Sequence, residues 1–342
     1  MNGVTPIEII GGGLAGLSLG LALRRDGVPA TIFEAGDYPR HRVCGEFITG
    51  LEADTIEHLQ LAPHLAGALA HREVAWFLDG SEKPARIQRL PSPALGLSRH
   101  TLDARLAAAF VAAGGELRTN TRITDLTPAP GRVFATGRRR GRSRWLGLKI
   151  HAHGLELVRD LELHLGDHAY VGLARTETGA VNVCGLFRRR ELCAKGPNLV
   201  LGYLQAAGLA ALSARLAAAE FDPRSFCAVA ALSFDHRVPA GDRVRLGDAC
   251  AMIPPFTGNG MAMAFQSAKL ALDPLLAFAR GVSTWSDACH AIHLGLHRHF
   301  RLRLASAGAL HPFLLQPPGR RVLVALNRAR LLPLRPLYAA LH

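Results

Sequence analysis

Residues 6–34 constrain the fold of this chain more than any other stretch. Pro6–Ile10 is a short apolar run of the kind that forms a buried parallel strand. Gly11, Gly13 and Gly16 follow with the spacing GxGxxG. In that motif the first glycine allows a tight turn, the second lets backbone approach a pyrophosphate, and the third lets a helix pack closely on the strand. The stretch therefore predicts a strand, a phosphate-binding turn and a helix.

The residues after the glycines agree with this interpretation. A helix beginning at Leu14 directs its first N–H groups, such as that of Ala15, and its partial positive charge at a diphosphate. Ala30–Phe33 predicts a second strand, which ends in Glu34 close to the ~20-residue spacing expected for an acid that binds ribose hydroxyls. We therefore predict a dinucleotide site, with Ala35 next to the ribose. The alternative, a glycine-rich turn in an unrelated parallel sheet, leaves Glu34 without a role.

The positive charge of the chain is nearly all arginine. The 342 residues suffice for one large or two moderate domains. The formal net charge of +13 suits an acidic substrate, an anionic membrane or nucleic acid, or reflects a biased coding composition. Aromatic residues make up only 6% and do not alternate with basic ones, so we do not expect nucleic acid as a partner.

The cysteines and histidines predict no metal centre. The six cysteines are scattered and form no CxxC pair, which favours neither a zinc site nor a disulfide framework and fits a reducing cytoplasm. His290, His293 and His297 share one helical face, but no acid accompanies them, so we expect no metal there. The apolar run at the N-terminus is broken by glycines and follows no charged region, so it is expected to be neither a signal peptide nor a membrane span.

Two further segments carry a resemblance to a known family. PRHRVCGE stands at 39–46, and GDACAMIPPFTGNG stands at 247–260. Together with GGGLAG and Glu34 they resemble the flavoprotein superfamily of aromatic hydroxylases, geranylgeranyl reductases and flavin halogenases. The resemblance implies FAD as the cofactor and an α/β fold. That fold has a Rossmann-like FAD-binding domain of the glutathione reductase and p-hydroxybenzoate hydroxylase type, an inserted antiparallel β-sheet substrate domain, and C-terminal helices.

The resemblance also implies which residues outside the first motif hold FAD. In the family, a segment after the first motif lies along the cofactor, an arginine lies near the diphosphate, and backbone covers the adenine. An aspartate binds the ribityl chain, and a glycine segment with a following helix faces the pyrimidine edge of the flavin, which favours its anionic reduced form. The matching residues here are Arg42, Val43, Cys44, Arg99, Ile123, Asp248, Gly258, Asn259, Gly260 and Met261. A small buried thiol without chemistry and a surface arginine are the alternatives for Cys44 and Arg99.

Hydrophobic patterns divide the chain into two lobes. We predict an FAD-binding domain from 1–70, 98–145 and 236–281, a substrate domain from 71–97 and 146–235, and a C-terminal helical segment over 282–342. The expected elements include a hairpin over Glu73–Leu90 turning at Asp79-Gly80, helices over Thr101–Ala113 and Leu199–Glu220, and strands over Glu116–Leu126, Arg132–Ala135, Ala228–His236 and Arg243–Leu246.

The resemblance implies a class of reaction. Our first hypothesis is a monooxygenase-like enzyme that uses FAD and NAD(P)H and acts on a small aromatic or polyketide-like metabolite. A geranylgeranyl-reductase-type enzyme that reduces C=C bonds of a lipid or secondary metabolite is the alternative. It is favoured by the VCGE segment and by Thr136, which stands where the hydroxylases carry the acid of a GADG-type motif. A halogenase ranks lower because no WxWxIP-type segment is present, and a non-catalytic flavin-binding partner subunit stays open.

Three features of the sequence leave more than one role open. The arginines over 138–144 could meet the 2′-phosphate of NADPH, although a solvated face is the commoner role. The basic and apolar segment over 319–342 could contact an anionic membrane or cap the substrate pocket. Glu46, His41 and Asp167 are conceivable proton-transfer groups, but the sequence shows no partner for any of them.

Overall fold

The computed structural model describes residues 3–78, 80–138, 141–235, 237–238, 243–328 and 341. The strands in chain order are β1 (Ile7–Ile10), β2 (Ala30–Phe33), β3 (Phe47–Ile48), β4 (Leu69–Leu78), β5 (Arg86–Gly96), β6 (Glu116–Arg118), β7 (Arg132–Phe134), β8 (Trp145–His153), β9 (Leu161–Gly166), β10 (Ala169–Arg175), β11 (Val181–Arg188), β12 (Glu220–Ala230) and β13 (Val244–Arg245). The helices are α1 (Leu14–Arg25), α2 (Ala53–His58), α3 (Arg99–Ala112), α4 (Asn198–Ala206), α5 (Ala210–Ala217), α6 (Gly260–Ala279), α7 (Trp285–Leu315) and α8 (Pro317–Arg328).

Sheet A is parallel and has the strand order β13-β7-β1-β2-β6. β1 pairs with β2 on one side and β7 on the other, so that Ile9 lies between Ile32 and Val133. All three side chains are fully buried, as expected for a parallel sheet covered by helices. α1 packs against β2, α3 and α6. This is the predicted Rossmann-like core, and it places the glycine turn at the carboxyl end of β1.

Sheet B has the strand order β12-β8-β11-β10-β9-β4-β5-β3. It is antiparallel as predicted, except that β4 and β9 run parallel to each other. Side chains alternate along β8, and Leu146, Leu148 and Ile150 pack into a core with residues of α4 and α5. We call this the outer face of sheet B. The opposite, inner face lies toward the loops that leave sheet A.

The C-terminal helices join the two sheets. α6 packs against both α1 and α7. α7 begins with a capping box, in which the Thr284 hydroxyl accepts from the Asp287 N–H and the Asp287 carboxylate accepts from the Thr284 N–H. At the other end of α7, Leu314 and Leu315 belong to a core cluster that includes Tyr170 of sheet B. Among the helices that the structure describes, none has the length and unbroken apolar character needed to cross a bilayer.

Several predicted elements are confirmed. The second strand is Ala30–Phe33, α1 begins at Leu14 and α6 begins at Gly260. All strands of sheet A fall in the part of the chain assigned to the FAD-binding domain, whereas β3 of that part pairs with β5 in sheet B. The domain boundaries themselves stay a prediction.

Three predicted elements are wrong in extent. The strand over Glu116–Leu126 ends at Arg118, because the chain then turns to hydrogen-bond with residues 34 and 36 rather than with a strand. The helix over Leu199–Glu220 is two helices, separated at Gly208, whose φ of 75° is left-handed. The strand over Ala228–His236 lies earlier, at Glu220–Ala230, and the chain leaves the sheet at Ala231, whose φ is 57°.

Some predictions fall on residues outside the described ranges. These are Asp79 of the predicted hairpin turn, Arg139 and Arg140 of the arginine run, His236, and most of the basic C-terminal segment, since residues 329–340 and 342 are outside.

Candidate functional site

The glycine turn leaves open space where a diphosphate is predicted. Gly11 has a φ of 114°, and a Cβ there would overlap the backbone of Ala135. A Cβ at Gly16 would overlap the carbonyl oxygen of Gly11, so this glycine permits the helix to lie close to the strand. A Cβ at Gly13 would have no described atom within 4 Å. Gly13 is also the N-cap of α1, and no side chain caps it, so the first N–H groups from Leu14 onward are left for a ligand.

Glu34 closes the other side of this turn. Its carboxylate accepts from the N–H groups of Gly12, at 2.8 Å, and Gly36, at 3.0 Å. Arg40 adds an ion pair at 2.7 Å. Ala35 is exposed beside it. The chain over 120–121 donates two backbone hydrogen bonds to residues 34 and 36, which places half-buried Ile123 near the acid. Glu34, Ala35 and Ile123 therefore lie together, as their predicted role at the nucleoside end requires.

Asp103 is a residue that the sequence interpretation missed. It is completely buried on α3, and it holds Arg99 through two hydrogen bonds of 2.7 and 2.8 Å and Arg42 through one of 2.9 Å. Its spacing of four residues from Arg99 was the available signal. Among the described residues, Arg40, Arg42 and Arg99 form ion pairs with two carboxylates, those of Glu34 and Asp103. The group therefore carries one surplus positive charge beside the open turn, which suits a diphosphate.

The second motif lies between α1 and α6, because a Cβ at Gly247 would be 3.3 Å from Ala15 and 3.7 Å from Ala264. Gly247 and Asp248 form a tight 3-10 turn, and the Gly247 N–H donates to the Ser267 hydroxyl at 2.9 Å. The Asp248 carboxylate makes no hydrogen bond to any residue that the structure describes. Burial raises the pKa of Asp248, with the charge of Arg99 acting in the opposite direction. An acceptor in this state fits the predicted bond from a ribityl hydroxyl.

At the start of α6, Gly260 has open space around it, whereas Gly258 is packed against a neighbouring side chain. A Cβ at Gly260 would have no described atom within 4 Å, and no side chain caps the helix, so its N-terminus is open like that of α1. At Gly258 a Cβ would overlap the ring of Phe47. Met261 is buried in the core of the sheet A lobe.

The side chain of Asn259 has partners within the chain. Completely buried, it accepts from the Thr49 hydroxyl at 2.8 Å and donates to the carbonyl oxygen of Leu341. This amide therefore joins the start of α6 to Thr49, directly after β3, and to Leu341. Contact between residue 259 and the flavin stays a prediction.

The inner face of sheet B contacts both loops that are predicted to hold FAD, residues 39–46 and residues 250–259. Val43 lies against Gly147, leaving no room for a Cβ at that glycine. The Asn182 amide donates to the carbonyl of Cys44 at 2.9 Å. Further along, the Phe256 N–H donates to the Tyr170 hydroxyl at 3.1 Å. The sheet thus covers the two loops predicted to hold the flavin.

The sheet leaves a gap between these supports. A Cβ at Gly172, in the middle of the sheet, would find only one described atom within 4 Å, the Cys184 carbonyl oxygen at 3.9 Å.

Burial raises the pKa of the Cys44 thiol, which keeps it neutral and fits the alternative of a small buried residue.

Four ionisable side chains meet at the junction of loop 39–46 and β8. Glu46 and Lys149 are fully buried, with Nζ 3.4 Å from the carboxylate. His151 Nε2 lies 2.5 Å from the other oxygen of Glu46, and the Arg99 N–H donates to Glu46 at 3.1 Å. His41 Nδ1 lies 3.0 Å from Nζ. We call His41, Glu46, Lys149 and His151 the junction network.

The electrostatics of the junction network favour a charged Glu46 and a neutral His41. Burial alone would raise the pKa of Glu46, but the hydrogen bond from His151 and the charge of Lys149 outweigh it, so the pKa lies below its usual range. Burial, and then the charge of Lys149, lower the pKa of His41 to about 4. His41, Glu46 and His151 lie close enough together to share a metal ion. The ammonium of Lys149 stands beside two of them, however, and a cation there would meet its repulsion.

Sequence interpretation found two members of this network and missed two. Glu46 and His41 were named without partners, and Lys149 and His151 are the partners. Their positions two residues apart on β8 put them on one face, which was the only sequence signal. Asp167, the third candidate, forms a surface ion pair with Arg190 at 2.8 Å and lies outside the network.

A cavity of about 520 Å³ opens between the start of β8, residues 232–234 and the end of α7. The ring of His311 lies parallel to that of Phe256, with centroids 6.1 Å apart, and 5.9 Å from that of Trp145. Arg144 and Arg188 are exposed at its edge, and neither has a carboxylate partner among the described residues. The cavity thus has aromatic side chains on one side, next to Phe256 of the loop 250–259, and two arginines at its opening.

Solved structures share this fold over nearly the whole chain. PqsL of P. aeruginosa, in complex with 2-aminobenzoylacetate, matches with a TM-score of 0.72 and 17% identity over 94% of this chain and 99% of that chain. HpxO of Klebsiella pneumoniae, complexed with FAD and uric acid, matches with a TM-score of 0.75 and 15% identity over 96% and 94%. The p-nitrophenol 4-monooxygenase PnpA of Pseudomonas putida DLL-E4 matches with a TM-score of 0.74 and 13% identity over 99% of both chains. The chain therefore has the predicted fold of FAD-binding monooxygenases.

Similarity in sequence is weaker. No protein-family model matches the chain. A curated menaquinone reductase of Mycolicibacterium smegmatis is 25% identical over 138 residues, which is 40% of this chain and 34% of the relative. The match thus covers about a third of the relative's length.

Proposed function

We propose that this chain is an FAD-dependent oxidoreductase, and specifically a monooxygenase that acts on a small aromatic metabolite. The observation that carries the proposal is the pair of uncapped helix N-termini, each beside a glycine with open space, with the turn of Gly247 and Asp248 between α1 and α6. A long anionic dinucleotide would occupy both ends at once. The fold it shares with FAD-dependent monooxygenases supports the same conclusion.

The residues of the chain have separable tasks in this proposal. Arg42 and Arg99, fixed by Asp103, would hold the diphosphate beside α1, and Glu34 would hold the ribose. Asp248 would accept from the ribityl chain, and the N-terminus of α6 would stabilise negative charge at the pyrimidine end of the ring. When bound, FAD supplies the electron transfer and the oxygen chemistry.

The inner face of sheet B would exclude water from the reacting atoms. Its contacts to Val43, Cys44 and Phe256 close the space over both loops. The cavity beside His311 would admit the substrate, because its walls suit a planar ring and its size suits a small molecule. Since Arg144 and Arg188 stand at its mouth, acidic aromatic compounds are the first to screen.

NAD(P)H is proposed as the reductant, and the cytoplasm as the location. Arg138 follows Thr136 just after β7, where its guanidinium would bind the 2′-phosphate of NADPH. All six cysteines are free, which suits a reducing compartment.

Anaerobic mixing of the FAD-loaded protein with NADH or NADPH, followed by oxygen and a panel of aromatic acids, tests the function. We expect bleaching of the flavin, then oxygen uptake and a product heavier by one oxygen atom. A product heavier by two hydrogens and independent of oxygen would instead identify a C=C reductase. A protein that binds FAD but turns over with no reductant would be a non-catalytic flavin-binding subunit.

A further inference from the structure

Sheet B carries two buried groups of a glutamate, a histidine and a cation, one on each face. On the outer face, Glu162 is bound by His164 at 2.9 Å and by Arg215 of α5 at 2.9 Å. On the inner face, the junction network has Glu46 in the same relation to His151 and Lys149. Only the inner group ends in a second, half-buried histidine, His41, on a predicted cofactor loop.

We propose that His41 is the proton-transfer residue of the flavin reaction, and that Lys149, Glu46 and His151 form a buried proton supply behind it. The proposal rests on the proposed function. Oxygenation with NAD(P)H and reduction of a C=C bond both consume a proton besides the hydride, and that proton must reach a site from which sheet B excludes water.

The hydrogen bonds define which nitrogen of His41 can donate. Lys149 Nζ has only protons to offer, so His41 Nδ1, at 3.0 Å, is the acceptor. The ring proton of the neutral imidazole therefore lies on Nε2, which faces away from Lys149. His100 of α3 stacks on the same ring with centroids 4.6 Å apart and fixes its plane.

In the proposed relay, each group passes on one proton and receives one. His41 Nε2 gives its proton to the substrate or cofactor, and Nδ1 takes one from Lys149. The neutral lysine amine that results is then reprotonated through Glu46, which lies 3.4 Å from Nζ and 2.5 Å from His151. One proton leaves the network at Nε2 and one enters at the His151 end. The proton that His41 received is then on Nδ1, so the ring turns over in its plane before the next transfer.

A second observation marks the entry. Asn182 is paired in register with His151 on the inner face, and its Oδ1 is buried with no hydrogen-bond partner among the described residues. Buried acceptors in this state are normally satisfied by water or a ligand. A water bound to Asn182 Oδ1 would stand beside the His151 end of the network and supply its proton.

The other titratable groups around the network are three thiols, three arginines and one further histidine. Burial raises the pKa of the Cys44 thiol, next to Glu46, so it stays protonated. Cys184 and Cys227 flank Lys149 on the neighbouring strands, and burial raises the pKa of both thiols, so they stay protonated. Arg99 and Arg42 are held by Asp103. Arg40 pairs with Glu34. His100 completes the set. Glu46 and Lys149 are thus the charges that the network itself must balance.

The test compares His41→Gln with His164→Gln in the FAD-loaded full chain. For His41→Gln we expect unchanged FAD binding and a turnover slower by about 100-fold or more, the usual scale for loss of a general acid. His164→Gln, which disturbs the equivalent group on the outer face, should lower the melting temperature and leave turnover intact. Lys149→Arg keeps the charge but cannot release a proton, so it should slow turnover as His41→Gln does.

A readout without cofactor completes the test. In the apo-protein, the NMR titration of the His41 ring should lie well below the ordinary pKa of about 6.5, and it should move upward in the Glu46→Gln, Lys149→Met double variant, which leaves no unpaired charge. Wild-type turnover in His41→Gln, equal effects of His41→Gln and His164→Gln, or a His41 titration unaffected by the double variant would each overturn the proposal. If the wild-type protein binds no FAD, the proposed function fails instead.

Discussion

Gly13 separates cofactor binding from folding more cleanly than any other residue of the site. Its φ of −88° and ψ of −172° are open to alanine, and a Cβ there meets no described atom within 4 Å. Gly13→Ala should therefore fold normally. The reduced freedom of the unfolded chain favours the variant by about 0.4–1 kcal/mol, but alanine is a poorer N-cap than glycine. We therefore expect the two effects to offset each other and the stability of the apo-protein to stay close to that of the wild type.

The same methyl group would occupy the space in which the diphosphate approaches α1. Displacing the diphosphate would break one or two of its charge-assisted hydrogen bonds, each worth about 1.5–3 kcal/mol. A loss of about 3 kcal/mol corresponds to an FAD dissociation constant ~100-fold higher. The variant should thus be about as stable as the wild type and bind FAD much more weakly.

Calorimetric titration with FAD, with a melting curve of each apo-protein, measures both effects. Gly16→Ala is the matched control, since its methyl group would overlap the Gly11 carbonyl and should destabilise the apo-protein itself. A Gly13→Ala protein that is well folded and binds FAD like the wild type would refute the placement of the diphosphate at α1.

Three other substitutions test the electrostatics. Burial raises the pKa of Asp248, so the stability linked to its proton is present at low pH and is lost as the pH rises through that pKa. Asp248→Asn should therefore raise the melting temperature of the apo-protein at pH 7 and weaken FAD binding. A lower melting temperature would contradict this. Asp103→Asn leaves Arg42 and Arg99 without their counterion and should lower the free energy of unfolding in urea by about 3–5 kcal/mol, whereas a change near zero would show that the pair is solvated. Burial acts to raise the pKa of Glu162, but hydrogen bonds from His164 and Arg215 lower it to about 2, so acid melts should show stability falling between pH 4.5 and 2 in the wild type and a flatter profile in Glu162→Gln.

The sequence allowed the first cofactor motif to be predicted because its parts are local. The strand, the three glycines, the helix and Glu34 occupy one continuous stretch, and the structure shows close approaches at Gly11 and Gly16 and open space at Gly13. The break at Gly208 was also visible as a glycine but was outweighed by the alanine-rich pattern on both sides of it.

The parts that were missed depend on contacts between distant residues. Arg42 and Asp103 are 61 residues apart, and Glu46 and His151 are 105 residues apart. Alternation along β8 puts Lys149 and His151 on one face, but only the packing of sheet B on loop 39–46 decides that this face meets Glu46.

The central claim is that the chain binds FAD across both helix N-termini. Titration of the purified, folded protein with FAD, followed by absorbance and flavin fluorescence, tests it most directly. We expect saturable binding of one FAD per chain, with ADP competing because it shares the α1 end. A folded protein that leaves the flavin spectrum unchanged at micromolar concentrations of both would contradict the account.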